Sequence, residues 1–334
     1  MRTVLIGAGS IGGPLAVLMQ EKGYDIDVVA HGADKARLIR EEGFHVTGAL
    51  GEHCERLNAY GSIAELSGKY DICFISTKYQ QMPDVAREML PYLNDDSLVL
   101  SLQNGIVTDL LAEVVGDRRT VACMIGVGAT LISPNHVEIT AVSEFRIGTP
   151  YIDAPASLEK VAEMMSSLCK TSVDDHIIAS LYAKVIFNSA TNSLAAITGH
   201  TVGYILDTKE ARRAELAIIR EAVAIADKMG IDIPRFNMLP KFQTVSKLKG
   251  PIPDFLFSQF LRYGFKFKSR NVRPSTLQSL SKGLKTEIDI MNGYLSAKGK
   301  EYGVPTPVND SLTHMIKQIE NGELSIHPDN IYKI

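Results

Sequence analysis

A lysine and two asparagines, Lys184, Asn188 and Asn192, recur every four residues in an otherwise apolar stretch of this chain. Lys184 carries the only formal charge between Ile177 and Leu206, and its immediate surroundings have helix length and no proline. Residues four apart on a helix share one face, so an ammonium and two carboxamides lie along one stripe. An unpaired buried ammonium is costly, so the stripe faces either a ligand cleft or water. If the stripe faces water, the lysine stem covers apolar surface and the asparagines form hydrogen bonds with neighbouring backbone. Spacing alone leaves both interpretations open.

A glycine-rich segment near the N-terminus is the second candidate site. A buried-strand pattern over residues 3–6 is followed at once by Gly7-Ala8-Gly9-Ser10-Ile11-Gly12, and a helical pattern then runs to residue 23. Strand, G-x-G-x-x-G and helix is the order that the dinucleotide fingerprint requires. The first glycine permits a tight turn, the second lets backbone approach a pyrophosphate, and the third lets the helix pack closely. The helix N-terminus favours the phosphates. The sequence therefore predicts a nucleotide-binding Rossmann domain.

The end of the second predicted strand bears on the choice of dinucleotide. An NAD site usually carries an acid there that binds the ribose, whereas this strand ends at Ala30 and His31. His31, Lys35 and Arg37 are all able to donate hydrogen bonds to a 2′-phosphate. The alternative is that these three are a solvated loop and helix start. NADP is therefore favoured, and NAD stays open.

Two polar residues follow later strands of the same domain. Lys78 comes after the predicted strand 71–76, and Asn104 comes after the predicted strand 97–102. Ligands of doubly wound sheets bind at the carboxyl ends of the strands, so these residues are candidates for cofactor contact. A surface charge and a simple Asn-Gly turn are the alternatives.

Length and composition bound the class of protein. A chain of 334 residues is long for a single core, so we expect two domains. The formal net charge of −3 gives no support for a nucleic-acid or membrane-surface partner. Four cysteines lie far apart and form no C-x-x-C, which indicates reduced thiols of a cytoplasmic protein rather than disulfides or a metal site. No signal sequence or membrane-length apolar run is recognisable.

The pattern of predicted elements changes near residue 170. Strands and helices alternate before it, and helical periods dominate from residue 177 onward. We therefore predict an α/β Rossmann-type domain over residues 1–170, with a mostly parallel doubly wound sheet, and an all-helical domain over residues 171–334. In the second domain we expect a proline-rich segment of irregular or short helical structure at 235–269, and a helix over about 283–299.

The order of these motifs resembles the ketopantoate reductase family over nearly the whole chain. The resemblance rests on GAGSIG at 7–12, SLQNG at 101–105, the K-x3-N-x3-N helix, STLQ at 275–278 and KTEIDIMNG at 285–293. It implies a Rossmann domain followed by an all-helical domain. It also implies reduction of a 2-oxo acid, most simply 2-dehydropantoate to pantoate, by NADPH with a lysine as general acid.

The resemblance also assigns roles to individual residues. Lys184 would be the general acid, with Glu287 beside it, while Asn188, Asn192 and Ser275 would bind the substrate. Lys78 and Asn104 match the polar groups that the family places near the nicotinamide.

Departures from the family pattern keep other functions open. His31 stands where the family commonly has an arginine, Val202 stands where an asparagine is frequent, and the segment 235–269 is longer than usual. The alternatives are an NAD-linked D-2-hydroxyacid dehydrogenase on the same scaffold and a nucleotide sensor without catalysis. The expected partner is a small 2-oxo acid, with no metal, and a homodimer is compatible with the sequence.

Overall fold

The computed structural model describes residues 1–236, 239–248, 250–264 and 270–334. The chain divides into two compact units, Met1–Ile178 and Ala179–Ile334. The first unit is α/β and the second is helical throughout its described part. The predicted fold class, a Rossmann domain followed by an all-helical domain, is confirmed.

The first unit is built from short strands and the helices that connect them. In chain order its strands are β1 Thr3–Ile6, β2 Ile26–Val29, β3 Phe44–Gly48, β4 His53–Glu55, β5 Asn58–Tyr60, β6 Tyr70–Ile75, β7 Leu93–Ser101, β8 Thr120–Met124, β9 Val127–Ser133, β10 His136–Val142, β11 Phe145–Gly148 and β12 Thr171–Val173. Its helices are α1 Gly12–Glu21, α2 Ala33–Glu42, α3 Met82–Met89, α4 Thr108–Val115 and α5 Ser157–Met165.

The main sheet has the strand order β12-β11-β8-β7-β6-β1-β2-β5. From β5 to β8 all neighbours are parallel, and β11 runs antiparallel to β8. Every residue of β1 and β2 is buried, as expected for strands covered on both faces. After β1 the chain adds β2 and β5 on one side and β6, β7 and β8 on the other. The carboxyl end of β1 therefore lies at the point where the strand order reverses, which is where such sheets bind ligands.

A second sheet has four strands, in the order β4-β3-β10-β9. Its central pair joins His45 to His136 in parallel register. The ring of Phe44, in β3, packs so closely on Gly13 of α1 that a Cβ added there would lie 2.1 Å from the ring. The small sheet thus supports the helix that follows the glycine-rich segment.

The second unit packs its helices around the long apolar stretch that contains Lys184. Its described helices are α6 Ile177–Thr198, which begins two residues before the unit does, α7 Val202–Asp207, α8 Lys209–Met229, α9 Phe242–Lys247, α10 Pro251–Gly264, α11 Ser275–Ser281, α12 Asn292–Tyr302 and α13 Pro307–Glu320. Glu221 of α8 accepts hydrogen bonds from the backbone N–H groups of Val308 and Asn309 at 2.9 and 3.1 Å, which joins α8 to the start of α13. Among the described residues, no helix combines the length and hydropathy that crossing a membrane requires.

One helix prediction was wrong in extent. The helix expected over about 283–299 begins only at Asn292, after a 3₁₀ turn at Ile288–Ile290. The reason is that the backbone N–H and hydroxyl of Thr286 both donate to Glu320, at 2.7 and 2.6 Å, which holds this segment in a turn. Within 235–269, where irregular or short helical structure was expected, the described residues form two helices, α9 with six residues and α10 with 14. Positions 237, 238, 249 and 265–269 of that prediction lie outside the described residues.

Candidate active site

The glycine-rich segment forms the turn between β1 and α1. Gly7 has a φ of +103°, and a Cβ there would lie 2.9 Å from the backbone of Ser76. At Gly12 a Cβ would lie 2.4 Å from the carbonyl oxygen of Gly7, so both positions need glycine. At Gly9, apart from its chain neighbours, no atom of the described residues lies within 4 Å of an added Cβ. The segment, which includes Ser10 and Ile11, therefore leaves open space above Gly9 at the N-terminus of α1, which fits a pyrophosphate.

This geometry predicts opposite effects for two substitutions in the same turn. Gly9→Asp should leave the unfolding temperature nearly unchanged, because its side chain meets open space, but it should abolish NADPH binding by placing a carboxylate toward the phosphates. The matched control Gly12→Ala should lower the unfolding temperature, because its methyl overlaps the Gly7 carbonyl. Calorimetry of NADPH binding and thermal melting of both variants test this. Near-normal NADPH affinity in Gly9→Asp would refute the assignment of this turn.

Of the predicted 2′-phosphate donors, Lys35 contacts the glycine turn. The Lys35 ammonium, on α2, donates a 2.7 Å hydrogen bond to the carbonyl oxygen of Ala8. Its burial lowers the pKa of Lys35. His31 is exposed just beyond β2, whereas Ala30 is only 3 % exposed. An acid that selects NAD would therefore be accommodated at position 31 rather than at position 30.

Lys78 and Asn104 follow β6 and β7, which are neighbouring strands of the main sheet. Lys78 is exposed, and Asn104 is half-buried. The two strand ends are joined by Gln103, whose Nε2 donates to the carbonyl oxygen of Thr77 at 3.0 Å. Gln103 is itself held by a hydrogen bond from Ser101. No role was predicted for Gln103, although it belongs to the SLQNG motif, and its hydrogen bonds hold the backbone next to Lys78 and Asn104.

The stripe predicted around Lys184 lies on α6. Lys184, Asn188 and Asn192 are each half-buried, while most residues around them on this helix are buried. The Asn192 side-chain oxygen lies 3.2 Å from the Thr191 hydroxyl oxygen. One face of an otherwise buried helix therefore carries an ammonium and two carboxamides that solvent reaches in part.

The other two predicted site residues lie on segments that pack near α6. Ser275 is exposed at the first residue of α11, and Glu287 is half-buried immediately before the 3₁₀ turn. Leu277 and Ile288, which follow these residues, share one buried cluster with Ala190 of α6.

Asn292 provides a further link that was not predicted from the sequence. Its Nδ2 donates to the carbonyl oxygen of Ser189 at 3.3 Å and to Asn309 at 3.0 Å. This amide thereby ties the segment that carries Glu287 to α6, at the residue beside Asn188. Its place in the motif at 285–293 was the available signal.

Protein-family models match residues in both units. A model described as "Ketopantoate reductase PanE/ApbA" matches residues 3–150, and one described as "Ketopantoate reductase PanE/ApbA C terminal" matches residues 176–320. The chain belongs to the ketopantoate reductase family. Because this family and the dinucleotide turn agree, the chain is an NAD(P)-dependent oxidoreductase with a Rossmann domain.

Curated relatives of this ketopantoate reductase family member extend over nearly the whole chain. A 2-dehydropantoate 2-reductase of Aquifex aeolicus is 24 % identical over 327 residues, covering 96 % of this chain and 97 % of the relative. One from Pyrococcus horikoshii is 26 % identical over 322 residues, covering 96 % and 98 %. The names of these relatives support ketopantoate reduction as the general activity of the group.

Solved structures share the fold at low identity. D-mandelate dehydrogenase, in a ternary structure with NADH and anilino(oxo)acetate, has a TM-score of 0.81 at 23 % identity and covers 97 % of this chain and 99 % of that one. A PanE/ApbA family ketopantoate reductase from Ralstonia eutropha JMP134 also has a TM-score of 0.81, at 22 % identity with the same coverage. The NADH belongs to the D-mandelate dehydrogenase complex, and at this level of identity the two structures show the shared fold alone.

Proposed function

We propose that this chain reduces 2-dehydropantoate to pantoate with NADPH and that Lys184 is the general acid. The observation that carries the proposal is the half-buried face of Lys184, Asn188 and Asn192 on the otherwise buried α6. Relatives named 2-dehydropantoate 2-reductase, matched over nearly the whole chain, support the choice of substrate.

The residues of this face suit the chemistry of ketone reduction. NADPH supplies the hydride when it is bound. Negative charge then develops on the substrate oxygen, and the Lys184 ammonium stabilises that charge and donates the proton that completes the hydroxyl. Asn188, Asn192 and Ser275 supply neutral hydrogen-bonding groups for the substrate carboxylate. Glu287 is an acceptor for a hydroxyl or for the ammonium itself.

The first unit would hold the cofactor. We assign the pyrophosphate to the turn Gly7-Ala8-Gly9-Ser10-Ile11-Gly12, the 2′-phosphate to His31 and Lys35, and the nicotinamide end to Lys78 and Asn104. Residues 1–170 are then the NADP-binding domain, and residues 171–334 are the substrate domain.

A panel of 2-oxo acids assayed with both cofactors tests the activity and the cofactor together. We expect 2-dehydropantoate to give the highest kcat/KM of the panel, and NADPH to be preferred to NADH. His31→Asp should shift this preference toward NADH, because an exposed acid repels the 2′-phosphate and binds the ribose instead. Equal or better kcat/KM with NADH in the unmodified protein would refute the NADP assignment. Cofactor oxidation that never depends on an added 2-oxo acid would refute the reductase.

A further inference from the structure

A small cavity lies inside the second unit, between α6, α8, α9 and α10. Its volume is about 20 Å³, enough for roughly one water molecule or one small group of a ligand. Its walls are mostly apolar and include the rings of Phe187, Phe242 and Phe257. The polar side chains in its lining belong to Thr191 and Glu215.

The carboxyl group of Glu215 is buried at this cavity without a complete set of hydrogen bonds. Glu215 is 2 % exposed, and within the part of the chain that the structure describes its Oε2 has no hydrogen-bond partner. Burial raises the pKa of Glu215 to about 8, and the nearby Arg212 opposes this shift. The Arg212 guanidinium is engaged elsewhere, with the Ser258 hydroxyl at 2.5 Å and the Leu206 carbonyl oxygen at 2.6 Å. At neutral pH the Glu215 side chain is therefore mostly an uncharged acid that can donate and accept hydrogen bonds.

An unsatisfied buried carboxyl is destabilising, and an aliphatic side chain would fill the same place without that penalty. The aromatic walls offer no partner for Glu215, and the Thr191 hydroxyl already donates to the Phe187 carbonyl oxygen at 2.9 Å. The carboxyl is thus placed to bind a group that enters the cavity. That group has to be small and uncharged, since the space is small and its walls are apolar.

The cavity adjoins the α6 face that carries Lys184. Phe187 is three residues after Lys184, and Thr191 is three residues after Asn188, so each pair is adjacent on the helix surface. The cavity lies roughly 5–10 Å along the helix from Lys184, at 1.5 Å per residue. Phe187 and Phe257 are only half-buried, so this wall is not sealed from solvent.

We propose that this cavity is the subsite for the far end of the substrate side chain, and that Glu215 is a specificity-determining residue that hydrogen-bonds a terminal hydroxyl there. The inference rests on the proposed function and deepens it. The substrate class is a compact, branched aliphatic 2-oxo acid that ends in a hydroxyl, as 2-dehydropantoate does. Acids that end in a second carboxylate are disfavoured, because that charge would be desolvated beside Glu215. Glu287 then serves the reacting end of the substrate.

A pair of substrates that differ in one hydroxyl tests the proposal. The pair is 2-dehydropantoate and 3,3-dimethyl-2-oxobutanoate, which lacks only the terminal hydroxyl. In the unmodified protein, kcat/KM should favour the hydroxylated acid by about 10–100-fold, the range for one hydrogen bond to an otherwise unsatisfied buried group. Glu215→Leu should reduce this preference to within about threefold, mainly by raising KM for the hydroxylated acid. Glu215→Gln should keep the direction of the preference, because an amide also donates and accepts.

The controls separate this inference from the proposed function. Asp227→Asn removes an exposed carboxylate from the same helix and should leave the preference unchanged. NADPH affinity and Tm of each variant establish that it is folded, and Glu215→Met serves as a second apolar replacement if leucine does not fold. If the unmodified protein reduces both acids and the apolar variants keep the full preference, the Glu215 subsite is wrong and the reductase stands. If the unmodified protein reduces neither acid, both proposals are wrong.

Discussion

Lys184→Ala should lower kcat for the best 2-oxo acid by about 10²–10⁴, the usual contribution of a positioned proton donor. The loss arises because the oxygen that gains charge no longer has an ammonium to stabilise and protonate it. NADPH affinity should barely change, since the residues that we assign to the cofactor belong to the first unit. Steady-state kinetics, calorimetric NADPH binding and thermal melting on the same preparation measure the three quantities.

Two further variants sharpen this prediction. Lys184→Arg keeps a positive charge but should not restore turnover, because a guanidinium holds its proton at any working pH. Lys209→Ala removes an exposed lysine at the start of α8 and should leave kcat unchanged. If Lys184 only covers apolar surface, we expect the reverse for Lys184→Ala, namely a lower Tm with normal turnover per folded molecule. A well-folded Lys184→Ala with near-normal kcat would therefore end the catalytic assignment.

Features set by local sequence were predicted well. The turn from Gly7 to Gly12 depends on backbone geometry within a few residues, so a strand, three glycines and a helix pattern are enough to recognise it. The stripe of Lys184, Asn188 and Asn192 follows from the helical period alone. The end of α8 at Gly230 has the same local basis, because this glycine adopts the left-handed conformation with φ of 71°.

Features set by distant contacts were not predictable in the same way. The small sheet forms because β3 pairs with β10, and such long-range pairing leaves no local pattern. The turn before Asn292 depends on Glu320, which is 34 residues from Thr286. The burial of Glu215 is the clearest example of such a feature. The amphipathic pattern of α8 predicts that its charged residues lie on a solvent-exposed face. In the structure α9 and α10 pack on α8, and Glu215 is buried.

The burial of Glu215 should make the stability of the second unit depend on pH. An ordinary glutamate pKa of 4.5 is raised to about 8 in the folded chain. Between these values the folded state holds a proton that the unfolded state has released, so unfolding releases a proton and stability falls as pH rises. The expected loss from Glu215 is on the order of 4 kcal/mol between about pH 5 and pH 8, since one pKa unit corresponds to about 1.4 kcal/mol.

Glu215→Leu should remove this contribution, so that the variant exceeds the unmodified protein in free energy of unfolding by an amount that grows from pH 5 to pH 8. The leucine buries no carboxyl, and its stability no longer depends on the ionisation of this site. Denaturant unfolding followed by far-ultraviolet circular dichroism at several pH values measures the difference. The free energy of unfolding of Asp227→Asn, a variant on the exposed side of α8, should follow that of the unmodified protein at a constant difference over the whole pH range. Parallel curves for Glu215→Leu and the unmodified protein would show that Glu215 ionises at its ordinary pKa, and the cavity would then hold a carboxylate instead of a neutral acid.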